Sequence, residues 1–118
     1  MADRKRAERA GAWGESWAAL FLTLKGFRIV ARRFRTPLGE IDIVARRGRL
    51  VLIVEVKRRA TLAAAMDAVS DASQGRIART ADLWLACQPD AAQLSLRFDL
   101  IAILPRRLPV HVADVFRG

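Results

Sequence analysis

An α/β fold, a mixed β-sheet flanked by helices in the order α-β-β-β-α-β, is what the patterning of this chain predicts. Three observations carry that prediction. Apolar residues recur at helical spacing over 7–25 and again over 62–87. Between them lie short β-branched runs bounded by turn residues, and one more such run follows the second helix. The chain is 118 residues long, enough for one domain that buries most of its apolar surface and too short for two. A single domain over 1–118 is therefore expected, with 1–6 loosely held.

The elements follow in order. Residues 7–25 carry Trp13, Trp17, Leu20, Phe21 and Leu24 on one stripe, and Gly26 is placed to end the helix. That stripe, with Trp84 of the second helix, predicts core packing for all three tryptophans. Phe27 to Phe34 reads as a strand, and Thr36, Pro37, Leu38 and Gly39 as a turn. Glu40 to Ala45 and Leu50 to Lys57 form a hairpin across residues 46–49. The segment 62–87 is helical in pattern, with a break expected near Gly75 and an end at Pro89. Leu96 to Leu104 reads as a buried strand closed by Pro105, and Val110 to Phe116 as an edge strand or a final turn.

Charge narrows the function classes. Net charge is +9 and the sequence pI is near 11.5, the electrostatic footprint of a phosphate-rich partner. DNA is the first expectation and RNA the second. Eighteen of the 21 cations are Arg, whose planar fork binds phosphate oxygens two at a time. They cluster at Arg32, Arg33 and Arg35, at Arg46, Arg47 and Arg49, and beside Lys57 at Arg58 and Arg59. The uncharged stretch from Ser16 to Leu24 is far short of the roughly 20 apolar residues of a membrane span. It also lacks the flanks of a signal peptide, so a cytoplasmic protein without a membrane partner is expected. Cys87, the single cysteine, leaves no internal disulfide and no ordinary structural zinc site.

Against this basic background, Asp42 and Glu55 stand inside two of the most apolar runs, where an unpaired carboxylate costs several kcal/mol to bury, roughly. If residues 46–49 form the loop, Ala45 opposes Leu50 and Asp42 opposes Ile53. Glu55 is then a diagonal neighbour of Asp42 on the same face, about 7–8 Å away between Cα atoms, and Lys57 shares that face. Two readings stay open on the residues alone. The acids form a hard-cation site for Mg²⁺, with Lys57 orienting or deprotonating a water. Alternatively, each simply pairs with a nearby Arg or Lys at the sheet edge. No P-loop, dinucleotide fingerprint, HExxH helix or serine elbow competes with them.

The stretches GEIDIVA and LIVEVKRR resemble the PD-(D/E)XK nuclease motif. Together with GESWAALFLTLKGF, RFRTPLGEIDIVA, RFDLIAI and HVADVF they are similar to the YraN-like bacterial family and, beyond it, to archaeal Holliday junction resolvases. The resemblance implies a restriction-endonuclease-like fold and a Mg²⁺- or Mn²⁺-dependent DNA endonuclease, with branched DNA as one substrate class. It assigns Asp42 and Glu55 as metal-binding acids, Lys57 as the catalytic lysine and Glu15 as a helix-borne glutamate joining the site. The carbonyl of Val56 is expected as a further metal ligand. Gln74 matches a polar position on the next helix, and a homodimer is also implied. Arg32, Arg35, Arg46, Arg47, Arg58 and Arg59 are expected to grip phosphates.

The chain departs from the family pattern at Arg33, where relatives tend to carry Asn, and at Ser73, where they carry Lys; Ile41 replaces the proline of the motif's name. Physical reading alone gives Glu15 a different place: on a helical wheel it falls opposite the Trp stripe, beside Ala18 and Leu22, as a solvated acid. Asp99 and His111 match family positions, while a pair with Arg97 explains Asp99 equally well. The alternative to an enzyme is a catalytically silent DNA- or RNA-binding module of the same fold within a larger assembly.

Overall fold

The structure, a computed structural model, describes the backbone of residues 2–116 and the side chains of 13–116. The loosely held segment expected at 1–6 falls outside the residues described in full. Helix α1 spans Ala2–Leu24, followed by β1 (Arg28–Thr36), β2 (Gly39–Arg47) and β3 (Leu50–Arg58). Helices α2 (Leu62–Asp67) and α3 (Asp71–Ala86) lead through a 3₁₀ turn at Ala91–Gln93 to β4 (Ser95–Ile103) and β5 (Val110–Phe116). The result is an α/β fold with one mixed five-stranded sheet in the order β1-β2-β3-β4-β5. Only β3 and β4 run parallel, because the α2–α3 segment carries the chain back across the sheet; the other neighbours are antiparallel. No helix among the described residues is long and apolar enough to cross a membrane.

The break in the second helical segment lies at 68–70 and not at Gly75, which stays inside α3. Capping decides it. Ser70 adopts an extended backbone, and its hydroxyl accepts the Ser73 N–H at 3.2 Å, starting a new helix and closing the old one. Thr61 caps α2 in the same way, accepting from Ala64 N–H at 3.1 Å.

The sheet is covered on both faces. Ala18 and Leu22 of α1 pack with Phe27 on Ile43, Ala45, Leu52, Val54, Ile101 and Ile103. On the other face Ile77, Ala81 and Trp84 of α3 pack on Ile41, Val44, Val51, Ile53 and Phe98. Each fully buried Leu or Ile in these layers contributes roughly 1.5–3 kcal/mol. The buried face of α1 is thus not the expected stripe. Trp13 is 58% exposed and Leu24 77%, Leu20 is exposed too, and only Trp17 and Phe21 of the stripe lie partly against the core. Small Gly14 and Ala18 face the sheet instead, since a helix crossing β-branched strands packs closer through small residues. That rotation carries Glu15 inward.

The hairpin register also differs from expectation by two residues. Ala45 pairs with Leu52 and Arg47 with Leu50, so the turn is the two-residue Gly48–Arg49, with Gly48 at φ +60°. Glycine at that left-handed position permits the tight turn. An even shift keeps the paired side chains from Ile43 to Arg47 on their expected faces, and it brings Asp42 directly opposite Glu55, one step beyond the last ladder pair, Ile43–Val54.

Candidate functional site

Near the start of β2 the strand alternation breaks. Ile41 and Ile43 would share a face of a regular strand, yet Ile41 packs under α3 and Ile43 under α1. The change falls at Asp42, which lies between the pairs Arg32–Ile43 and Phe34–Ile41 and therefore faces Arg33 of β1. Arg33 has φ +50°, a left-handed conformation that costs a non-glycine residue roughly 1–3 kcal/mol and marks a strained position. The twist there opens a cleft of about 350 Å³ that both helices reach. Glu15 of α1, Glu40 and Asp42 of β2, and Glu55, Val56 and Lys57 of β3 line it, with Ser73 and Arg76 of α3 along one side. Gly39 lets α3 approach, because a Cβ there would meet Thr80 Oγ1 at 3.1 Å and Arg76 Cβ at 3.3 Å.

Carboxylate oxygens of Glu15, Glu40 and Asp42 lie within 4.8 Å of one another. Three of the four acids in the cleft have a cationic partner. Arg33 Nε donates to Glu15 Oε2 at 2.6 Å, with Arg32 4.0 Å away. Arg35 reaches Glu40 at 3.2 Å, and Lys57 Nζ lies 3.3 Å from Glu55 Oε2. Asp42 differs: its Oδ2 accepts the Val56 N–H at 2.8 Å, and it makes no ion pair among the described residues. Burial and the neighbouring Glu55 carboxylate push its pKa up to about 7, against the pull of that N–H. Burial also raises Glu55, which Lys57 partly counters. The hydrogen bond from Arg33 to Glu15 raises the guanidinium further.

The structure brings Glu15, Asp42, Glu55 and Lys57 into one cleft, as the resemblance implied. The ion pair of Glu55 realises the plainer alternative for that acid but not for Asp42, and Glu15, expected on physical grounds as a solvated acid, is buried and paired with Arg33. The three carboxylate oxygens that converge belong to Glu15, Glu40 and Asp42, with Glu55 turned toward Lys57. Val56 contributes its N–H to Asp42. Glu40 escaped the sequence reading although its spacing of two from Asp42 on one strand was the available signal. An all-oxygen donor set fits a hard divalent cation such as Mg²⁺ or Mn²⁺ and gives no soft ligand for zinc or copper.

The expected phosphate grip divides. Arg32 and Arg35 lie on β1 beside the cleft, and Arg58 and Arg59 at the end of β3. Arg46 and Arg47 lie apart from them, four or five strand residues, roughly 13–17 Å, from Asp42. Arg46 pairs with Asp90 at 2.6 Å, and Arg47 covers the Phe27 ring 4.4 Å from its centroid while donating to the Lys25 carbonyl. Gln74 does not line the cleft; its amide donates to the Val69 carbonyl at 3.2 Å, tying α3 to the preceding turn.

Asp99, 1% exposed on β4, has a structural task. Burial alone would raise its carboxyl, but hydrogen bonds from His111, Arg97 and the Asp114 N–H hold it down at about 2. Arg97 contacts it with two nitrogens at 2.9 and 2.8 Å, and His111 Nε2 lies 2.7 Å away. The other His111 nitrogen is 2.8 Å from Lys25 Nζ. The pair with Arg97 expected from the sequence is thus present. A larger groove of about 490 Å³ lies along Phe98 and Phe116, whose rings stack at 4.6 Å, so chemistry and not size distinguishes the acidic cleft.

Comparison with known proteins identifies a family. The model of the uncharacterised protein family UPF0102 matches residues 14–103, which include every residue lining the cleft. A UPF0102 protein of Chelativorans sp. (strain BNC1) is 63% identical over 114 residues, covering 97% of this chain and 92% of its own. A UPF0102 protein of Agrobacterium fabrum is 57% identical over 113 residues, covering 96% and 93%. One of Brucella canis is 61% identical over 120 residues, covering 98% and 95%. With a family model spanning most of its length and relatives matched nearly end to end, the chain belongs to the uncharacterised protein family UPF0102.

Proposed function

We propose that the protein is a metal-dependent phosphodiesterase of restriction-endonuclease-like fold that cuts DNA in the cytoplasm, with branched DNA as a preferred substrate. The observation that carries the reading is Asp42: a half-buried carboxylate without an ion pair among the described residues, in an oxygen-lined cleft beside Arg32 and Arg35. The resemblance of GEIDIVA and LIVEVKRR to nuclease motifs supports it. Bound Mg²⁺ or Mn²⁺ would supply positive charge to the scissile phosphate and acidify a water. Glu15, Glu40 and Asp42 would hold that ion, with Glu55 close enough to join on a side-chain rotation. Lys57, held 3.3 Å from Glu55, is positioned to orient the attacking water or to bind a non-bridging phosphate oxygen. The Val56 N–H fixes one Asp42 oxygen and leaves the other free. A two-fold homodimer belongs to the same proposal.

One observation favours a second reading. Arg33 and Lys57 already neutralise Glu15 and Glu55, as they would in a DNA- or RNA-binding module that never cuts. Incubating the protein with labelled four-way junction, flap, duplex and single-stranded DNA in Mg²⁺, Mn²⁺ or chelator separates the two. A hydrolase gives metal-dependent products that are absent with Asp42→Asn and Lys57→Ala while binding persists. Salt-sensitive binding without products under any metal supports the module, and no binding to any nucleic acid refutes both.

A further inference from the structure

Beyond the acidic cleft, β3 runs on into a second concavity of about 570 Å³. Trp13, Arg58, Arg59 and Arg106 provide its aromatic and charged walls, and Ile103 and Leu104 its apolar floor. Trp13 is 58% exposed on the first described turn of α1 side chains, although an indole of that size ordinarily finds cover. The Arg58 guanidinium lies 5.6 Å from the centroid of its ring, a cation–π arrangement that holds the indole upright beside the groove. Arg59 donates to the Arg58 carbonyl at 2.8 Å, fixing the other cation at the strand end. Arg106 sits at φ +59° in the turn after β4. Among the described residues, no carboxylate lines the groove to neutralise these three arginines.

Cleft and groove share their supports. Glu55, Val56 and Lys57 line the first and Arg58 and Arg59 the second; Glu15 lines the first and Trp13 the second. A polyanion chain crossing the end of β3 therefore meets both in succession. We infer that this groove binds an unpaired DNA nucleotide next to the cleavage site, its base stacked on Trp13 and its phosphates on Arg58, Arg59 and Arg106. An exposed aromatic face between arginines suits a splayed base, because every base offers a π-face and every nucleotide a phosphate. A fully paired duplex offers no free base face to Trp13, so the groove would favour DNA with a single-stranded arm. The inference rests on the DNA-binding reading above.

The test uses fluorescence anisotropy in chelator with the full chain, a labelled blunt duplex and the same duplex carrying a single-stranded tail. Trp13→Ala is expected to weaken tailed DNA by about tenfold and blunt duplex by less than about twofold, and Trp13→Phe to restore most of the loss. Arg106→Ala, at an exposed turn, should weaken tailed DNA selectively as well and guards against a folding defect in the first variant. Equal weakening on both DNAs, or no change with either variant, would overturn the nucleotide groove while leaving the DNA-binding reading intact. Absence of binding by the unmodified protein to either DNA would overturn that reading and the groove with it.

Discussion

Replacing Asp42 with Asn should stabilise the metal-free protein, which is the reverse of what most substitutions at a hydrogen-bonded, half-buried residue do. The carboxyl titrates at about 7 in the fold against an ordinary 3.8, so folding at alkaline pH must hold an anion beside Glu55 and away from water. A difference of about 3 units sets a ceiling of about 4 kcal/mol. Asparagine keeps an oxygen for the Val56 N–H at 2.8 Å but brings an amide nitrogen that needs a partner of its own. A net gain of about 1–2 kcal/mol is expected, or about 5 °C in Tm. The sign follows from linkage. A folded-state pKa above the unfolded one means that stability is lost as pH rises from 3.8 toward 7 and is level beyond it. The variant should therefore match the parent at pH 4 and exceed it at pH 8. Adding Mg²⁺ at about 100 times its Kd should then raise the parent by about 2.7 kcal/mol and the variant by much less. Thermal melts at the two pH values, with and without Mg²⁺, decide the matter. A variant less stable than the parent at pH 8, or an equal response of both to Mg²⁺, would refute an uncompensated Asp42 as the basis of the site.

Glu15→Gln removes one of the three converging carboxylates and should weaken Mg²⁺ or Mn²⁺ binding by roughly 10- to 100-fold in a calorimetric titration; unchanged affinity would remove Glu15 from the ligand set. Asp99→Asn should cost about 2 kcal/mol at pH 7, from a folded pKa of about 2 against 3.8. Because that pKa is depressed, the parent holds this stability above pH 3.8 and loses it as pH falls toward 2, so the two urea midpoints should converge in acid. Gly39→Ala forces a Cβ to within 3.1–3.3 Å of Thr80 and Arg76 and should destabilise by roughly 1–3 kcal/mol, with cleft activity falling as α3 shifts. Binding to duplex DNA should follow log salt with a slope of about −0.9 per phosphate contacted, and Arg46→Ala should leave that slope unchanged because Arg46 belongs to the far end of the hairpin.

Much of this was legible in the sequence because it rests on short-range rules. Alternation along β2 and β3 put Asp42, Glu55 and Lys57 on one face even with the turn length misjudged, since the true register differs by an even number. Helix α1 was harder. Its Trp, Leu and Phe stripe has the stronger periodicity, but Gly14 and Ala18 allow a closer approach to β3 and β4, and packing distance overruled hydrophobicity. The same rotation explains why Glu15 looked solvated and is buried, and why Trp13 looked buried and is exposed. Gly75 misled as a helix breaker because its cost is about 1 kcal/mol, which α3 packing outweighs, whereas the Ser70 cap has a specific hydrogen bond. Arg33 carried no sequence signal for a left-handed backbone; that conformation follows from the change of face at Asp42, a property of two strands together.

Both outer strands are irregular. The β1 register slips between Ile29 and Ala31, and Arg33 turns left-handed; β5 slips opposite Asp99, where Asp114 at φ +56° gives its N–H to the buried carboxylate. A regular outer strand offers the next molecule a continuous row of donors and acceptors, and proteins commonly interrupt that row. Here a carboxylate sealed inside the sheet occupies the distortion from behind, so the interruption at β5 does not depend on a mobile surface side chain. The residue that stabilises the core of β4 thus also fixes the break in the outer row of β5, so one buried group serves both the interior and the edge of the sheet.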